Sequence, residues 1–181
     1  IFKGNGGTAY AVKIDVNKNI DWIKNYGIPS FQIFKIKKIQ DDGYLLCGSK
    51  LFSNWYGLLV RVDSTGNLIW QKTFFSSEYK NFGSCAIFDS NHLVLCGTTT
   101  DKLIDTQHIT MTKINLNGDL VWEYRFLVSG VGGNGKKIMK VSDNYIISGT
   151  TNGQTNGVSY FLKIDSNGNK KVEHRFESDK N

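Results

Sequence analysis

Short segments in which apolar and polar residues alternate run along this chain, and glycine, asparagine and aspartate separate them. Alternation with a period of two between turn-forming residues predicts β-strands rather than helices. We therefore predict an all-β chain with no helix longer than a turn or two. Fourteen strands are expected, at residues 8–14, 20–25, 31–39, 44–48, 56–63, 67–74, 84–88, 92–99, 108–115, 119–126, 136–141, 145–150, 158–165 and 169–176.

One motif recurs about every fifty residues. Its clearest copies are residues 61–70 (RVDSTGNLIW), 113–122 (KINLNGDLVW) and 163–172 (KIDSNGNKKV), and a looser copy spans 13–22. A fixed period of this size predicts stacked β units such as propeller blades. We predict one domain over residues 1–181, a β-propeller segment of about three and a half four-stranded antiparallel blades. Its expected parts are a half blade, 1–26, and blades 27–75, 76–127 and 128–177.

The motif holds a glycine in its turn and, in three copies, a tryptophan after it. Glycine supplies the positive φ that tight hairpins need. The tryptophan is large and flat enough to seal one sheet against the next, so we expect it to be buried there. Val172 takes its place in the last copy. These structural residues are Gly66, Gly118, Gly168, Trp22, Trp70 and Trp122.

Two kinds of loop vary between the units, whereas the hairpin turns are alike. They are the connections at 76–83 and 128–135 and the mid-unit loops at 49–55, 100–107 and 151–157. Variable loops on a regular scaffold commonly carry function. We expect them to bind a protein or glycan partner. The candidate partner-binding residues are Trp55, Tyr79, Lys80, Asp101 and His108.

Composition narrows the classes of partner. The net charge of +6 comes from dispersed lysines with no basic helix or RNA-binding motif, so we expect no nucleic-acid partner. No apolar run approaches the roughly 20 residues of a membrane span.

Cys47 and Cys96 occupy one repeat position that Ser148 fills in the third copy. A slot for Cys, Cys and Ser indicates packing of a small side chain rather than redox or metal chemistry.

Segments 59–74 and 41–48 carry a resemblance to known proteins. Segment 59–74 contains a Lys-Ile-Asp-type turn with Gly and Trp, and segment 41–48 contains a Gly-Tyr-Leu-Leu-x-Gly-type strand. Together they resemble the β-propeller repeats of bacterial secreted and cell-surface proteins. A weaker likeness is to quinoprotein-type propellers, whose cofactor-bearing residues have no match here. The resemblance implies extracellular, modular scaffolds for adhesion, assembly or recognition. An extracellular or cell-surface location is therefore expected.

Three further patterns suggest chemistry. The glycines of 130–135 satisfy a dinucleotide-binding pattern, but a strand rather than a helix is predicted to follow them. Alternating acidic and amide residues from Asp15 to Asp21 resemble the start of a calcium loop, without its glycine and distal Glu. His92, His108 and His174 lie on different strands without zinc-ligand spacing. We assign no catalytic, cofactor-binding or metal-ligating residue, and calcium is the one cofactor the sequence leaves open.

Three functions remain open at this stage. The favoured one is a non-catalytic secreted or cell-surface propeller scaffold for protein binding, adhesion or assembly. The second is part of a propeller enzyme with catalytic residues on the variable loops or outside this segment. The third is an intracellular interaction platform, which free cysteines suit. We expect the segment to belong to a longer chain, with the rest of that chain or a second copy closing the ring.

Overall fold

The computed structural model describes residues 8–39, 42–51, 55–74, 79–89, 91–101, 106–151 and 157–176, with 79–89 described as backbone. This part of the chain is all-β and contains no helix, as predicted. Its strands are β1 (Thr8–Ile14), β2 (Ile20–Pro29), β3 (Phe31–Lys38), β4 (Tyr44–Leu51), β5 (Trp55–Val62), β6 (Leu68–Phe74), β7 (Tyr79–Asp89), β8 (His92–Asp101), β9 (Thr106–Asn115), β10 (Leu120–Phe126), β11 (Gly133–Val141), β12 (Asn144–Thr151), β13 (Ser159–Asp165) and β14 (Lys170–Phe176).

These strands form four antiparallel sheets in chain order. Sheet I contains β1 and β2, sheet II contains β3 to β6, sheet III contains β7 to β10, and sheet IV contains β11 to β14. Within each sheet every strand pairs with its sequence neighbour. The prediction of four-stranded antiparallel units with a two-stranded unit before them is therefore confirmed.

Two strands begin at least three residues earlier than the sequence predicted. β7 starts at Tyr79 and β11 at Gly133, so parts of the expected connections 76–83 and 128–135 are strand. The alternation of side chains breaks there because each strand carries an irregularity, between Asn81 and Cys85 and between Gly135 and Lys137. A bulge interrupts the side-chain period without ending main-chain pairing. Expecting loops in these stretches was wrong for that reason.

The core consists of three layers, each between one sheet and the next. The central strands face two layers at once: Leu45 of β4 packs in the layer between sheets II and III, while Leu46 packs in the layer between sheets I and II. Both leucines are almost wholly buried. Cys47 and Cys96 are buried, and they belong to successive layers. The repeated small position therefore packs against the following sheet each time.

The glycines of segment 130–135 allow close packing of two sheets. A Cβ on Gly135 would lie 2.7 Å from the carbonyl oxygen of Gly97, and one on Gly132 would lie 2.4 Å from that of Gln107. A side chain at either place would push sheet IV away from sheet III. This explains the glycine pattern without a phosphate, and the strand predicted after it is present as β11.

Candidate binding surface and the repeated contact between sheets

The two kinds of variable loop meet at one end of the sheets. The first strand of each four-stranded sheet begins beside the last residues of its second strand, as Phe31 pairs with Lys50, Tyr79 with Thr100 and Gly133 with Thr151. The connection entering a sheet and the loop between its second and third strands therefore share this end. We call it the loop end, and we call the opposite end, which carries the Asp-to-Asn hairpin turns, the turn end.

All five candidate residues lie at the loop end. Four of them are in sheet III, where Tyr79 and Lys80 begin β7, Asp101 ends β8 and His108 lies near the start of β9. Trp55 begins β5 in sheet II. Four of these positions were expected in loops, and that expectation was wrong: Trp55, Tyr79, Lys80 and Asp101 lie in strands. The strands at this end extend further than the alternation showed. The structure brings the five positions to one end of the sheets.

Hydroxyl groups line the loop end of sheet III. The Oγ1 atoms of Thr99 and Thr110 are 2.8 Å apart in a buried pair, and the Thr98 hydroxyl donates to Asn134 Oδ1 in sheet IV at 3.0 Å. His108 Nδ1 is buried and has no hydrogen-bond partner among the described residues. Sequence reasoning missed these threonines. The three consecutive threonines at 98–100 were the one feature of the sequence that pointed to them.

The loop end of sheet II carries two exposed apolar side chains. Leu51 and Trp55 are paired residues at the tip of the β4–β5 hairpin, and they are 40% and 37% exposed. A large aromatic that is half in water on a hairpin tip can stack on a ring or cover an apolar partner group. The loop end therefore combines an exposed aromatic ring in one sheet with largely buried threonine hydroxyls in the next.

At the turn end, one contact recurs between successive sheets. Trp22 of β2 donates its indole N–H to the carbonyl oxygen of Ser64 in sheet II at 3.2 Å. Trp70 of β6 makes the same bond to Leu116 in sheet III at 3.0 Å. The tryptophans are equivalent and lie between sheets as predicted, but Trp22, Trp70 and Trp122 are half-buried rather than buried. The indole lies across a surface turn, so part of each ring stays in contact with water.

The residue two positions after the tryptophan completes the contact. Lys24 Nζ donates to Asn67 Oδ1 at 2.9 Å, and Lys72 forms an ion pair with Asp119. In the third interface Tyr124 takes this position and covers the turn of sheet IV. Its ring packs on Trp122 with a centroid distance of 4.8 Å. An aromatic side chain and its second neighbour thus hold the next turn in each interface.

The turn glycines are needed for two reasons: the positive φ of the turn and the close contact with the preceding sheet. Gly66, Gly118 and Gly168 have φ of 80°, 79° and 82°, which confirms the prediction of positive φ. A Cβ on Gly66 would lie 2.9 Å from Trp22 and Lys24, and one on Gly168 would lie 2.3 Å from Cε2 of Tyr124. The preceding sheet occupies the space of the missing side chain.

Each turn is organised by a carboxylate or amide at its first position. Asp63 Oδ1 accepts from the main-chain N–H of Asn67 at 2.8 Å and of Thr65 at 2.9 Å. The Asn67 N–H, together with the Thr65 hydroxyl, lowers the pKa of Asp63 to about 2. The main-chain N–H of Asn169 likewise lowers the pKa of Asp165 well below its ordinary value. Hydrogen bonds to the ionised form favour it, so these turns are most stable with the carboxylates charged.

The segment from Asp15 to Asp21, whose acidic spacing resembles a calcium loop, forms a turn held by the same kind of hydrogen bond. Asp15 accepts from the main-chain N–H of Asn19 at 2.8 Å and from its side-chain amide at 3.0 Å. Asp21 pairs with Lys13 at 3.0 Å. Across the described residues, no three His, Cys, Asp or Glu side chains are grouped in a way that could hold a metal ion.

The sequence matches no protein-family model and no curated protein. In the part of the chain that the structure describes, no helix is long and apolar enough to cross a membrane.

Proposed function

We propose that this chain forms part of a β-propeller and acts as a non-catalytic scaffold of a secreted or cell-surface protein, binding a protein or glycan partner at the loop end. The observation that carries the proposal is the repeated contact between sheets. Each sheet places its outermost strand against the hairpin turn of the sheet that follows in sequence.

Such a relation between consecutive sheets supports a propeller. In that architecture each four-stranded blade packs only on its two neighbours, and one contact is repeated from blade to blade. A sandwich would instead place two sheets over one common core. Here sheet II shares one apolar layer with sheet I and a separate one with sheet III.

The loop end supports a binding role for a chemical reason. Regular sheets hold it in place, and it carries the exposed aromatic ring of Trp55 together with the half-buried carboxylate of Asp101 and the half-buried hydroxyl of Thr98. Rigid aromatic anchors beside polar groups are common in surfaces that bind proteins or sugars.

The test is an array of extracellular proteins and glycans probed with the unmodified chain and with a Trp55→Ala, Asp101→Ala double variant. We expect partner binding to weaken at least about tenfold in the double variant, as loss of an aromatic anchor does. Val16→Ala is the matched control, because Val16 is 97% exposed at the turn end. A partner that tolerates the double variant and is lost with Val16→Ala would contradict the proposal. Turnover of an arrayed glycan would contradict the non-catalytic role.

A further inference from the structure

We infer that the edge of β1 that faces away from β2, here called the inner edge, is a docking site for a β-hairpin of the same chemistry as β3–β4. Such a hairpin would add two strands to sheet I. The inference rests on the proposed repeat architecture and not on the partner of the loop end. The first observation is the register. The turn 15–19 matches the turns 63–67 and 165–169, so β1 and β2 are equivalent to the third and fourth strands of a complete sheet. The described residues contain no equivalent of the first two strands in sheet I.

Among the described strands, none pairs with the edge of β1 that faces away from β2. The Asp15 N–H donates to the Asn19 carbonyl, toward β2. Because main-chain groups of alternate residues point to opposite edges of a strand, those of Tyr10, Val12 and Ile14 face away from β2. Their equivalents in sheet II, Leu58 and Val60, pair with Gly48 and Leu46 of β4. An unpaired edge of this kind is a template for another strand.

An open cleft lies beside this edge. It has a volume of about 90 Å³, and its lining includes Ala11 and Val12 of β1 and Ile36, Tyr44 and Leu46 of sheet II. In the next interface, the equivalents of Tyr44 and Leu46 are Leu93 and Leu95. They share their apolar layer with Leu45 and Cys47 of β4. The cleft is therefore where a second strand of sheet I would place its own apolar and small residues.

The chemistry of the occupant follows from that equivalence. It is a hairpin whose second strand carries a leucine-like residue and a small residue two positions later, as Leu45 and Cys47 do. The described strands of a second copy of this chain do not provide it. Its own two-stranded sheet contains the same half, and its β3 to β14 are paired within complete sheets. Edge-to-edge dimerisation is thus the competing outcome.

The experiment titrates the unmodified chain with a synthetic, fluorescently labelled peptide of residues 31–51 in which Cys47 is replaced by serine, the residue of the third repeat. We expect one-to-one binding by anisotropy, and none by a peptide of scrambled sequence. Val12→Pro removes an N–H from the inner edge and should weaken binding at least about tenfold. Ile23→Pro is the matched control: Ile23 is the cross-strand partner of Val12, and its N–H faces the opposite edge. It should change affinity by less than about twofold.

Amide hydrogen exchange makes the test independent of whether a variant folds. In the unmodified chain the amides of Tyr10 and Val12 should exchange fast, and the peptide should slow both at least about tenfold. No binding, binding that tolerates Val12→Pro in a folded variant, or protection of these amides by raising the protein concentration alone would overturn the inference. None of these results depends on the partner array, so failure here and failure of the loop-end proposal are distinguishable.

Discussion

Truncation of Trp70 to alanine tests the repeated contact most directly. Trp70 packs against the layer that contains Leu93 and Leu95, and its N–H bonds to Leu116 in the next sheet. Removing a fully buried tryptophan costs about 3–5 kcal/mol. Because Trp70 is half-buried, we expect about 2 kcal/mol from lost packing, and about 1 kcal/mol more from the lost hydrogen bond. The free energy of unfolding should therefore fall by about 3 kcal/mol.

The assay is urea unfolding followed by circular dichroism, with three variants beside the parent. Trp70→Phe retains most of the ring and loses the N–H, so it should cost about 1 kcal/mol. Trp55→Ala is the matched control, since it deletes the same side chain from an exposed hairpin tip. It should cost less than about 1 kcal/mol.

Two results would refute this reasoning about Trp70. If Trp70→Ala unfolds like the parent, the indole does not hold sheet II against sheet III. If Trp55→Ala costs as much as Trp70→Ala, stability follows the size of the deleted side chain and not the contact between sheets. A change in the slope of the unfolding free energy with urea would instead indicate loss of two-state behaviour, and the comparison would then use hydrogen exchange.

Other predictions use the same unfolding measurement or light scattering. Gly168→Ala should destabilise by at least about 1 kcal/mol more than Gly27→Ala, because both have positive φ but only a Cβ at Gly168 meets Tyr124; equal losses would contradict this. The pKa of Asp63 falls from 3.8 to about 2 on folding, so its contribution is full above pH 4 and is lost as the pH drops toward 2. Asp63→Asn should flatten the stability profile in that window, and an unchanged profile would exclude this role. Val172 and Phe176 leave sheet IV with exposed apolar groups, so we expect concentration-dependent association by light scattering, weakened by Phe176→Ser; a monodisperse monomer at all concentrations would contradict it.

The strands could be predicted from the sequence where all side chains on one face of the strand are buried or all are exposed. The bounds predicted for β1, 8–14, match the structure because alternation continues up to the turn at Asp15. The starts of β7 and β11 were missed because a bulge hides strand pairing from any pattern of side chains. Local sequence shows the period of a strand but not the main-chain partner that carries it through a bulge.

The candidate site was predictable in position and not in composition. Loops of one class lie at the same end of an antiparallel sheet, so Trp55, Asp101 and His108 share an end for topological reasons alone. The bond between Thr98 and Asn134 joins residues of different sheets. So does the packing of Tyr124 over Gly168. No pattern within one unit reveals such pairs, because they depend on how far one sheet is rotated against the next.

The two departures from the repeat clarify what the motif encodes. Lys18 has φ of 69° and occupies the turn position that is glycine in the other copies, and Val172 occupies the position of the tryptophan. Lys18 lies in the turn of sheet I and Val172 in sheet IV, and among the described residues no sheet packs over the first and no turn meets the second. Where Trp70 lies against Gly118, by contrast, both residues of the motif are kept. Positive φ alone does not require glycine here, since Lys18 adopts it. The glycine is required by the aromatic ring of the preceding sheet, so the motif is best understood as the two halves of one contact between neighbouring sheets.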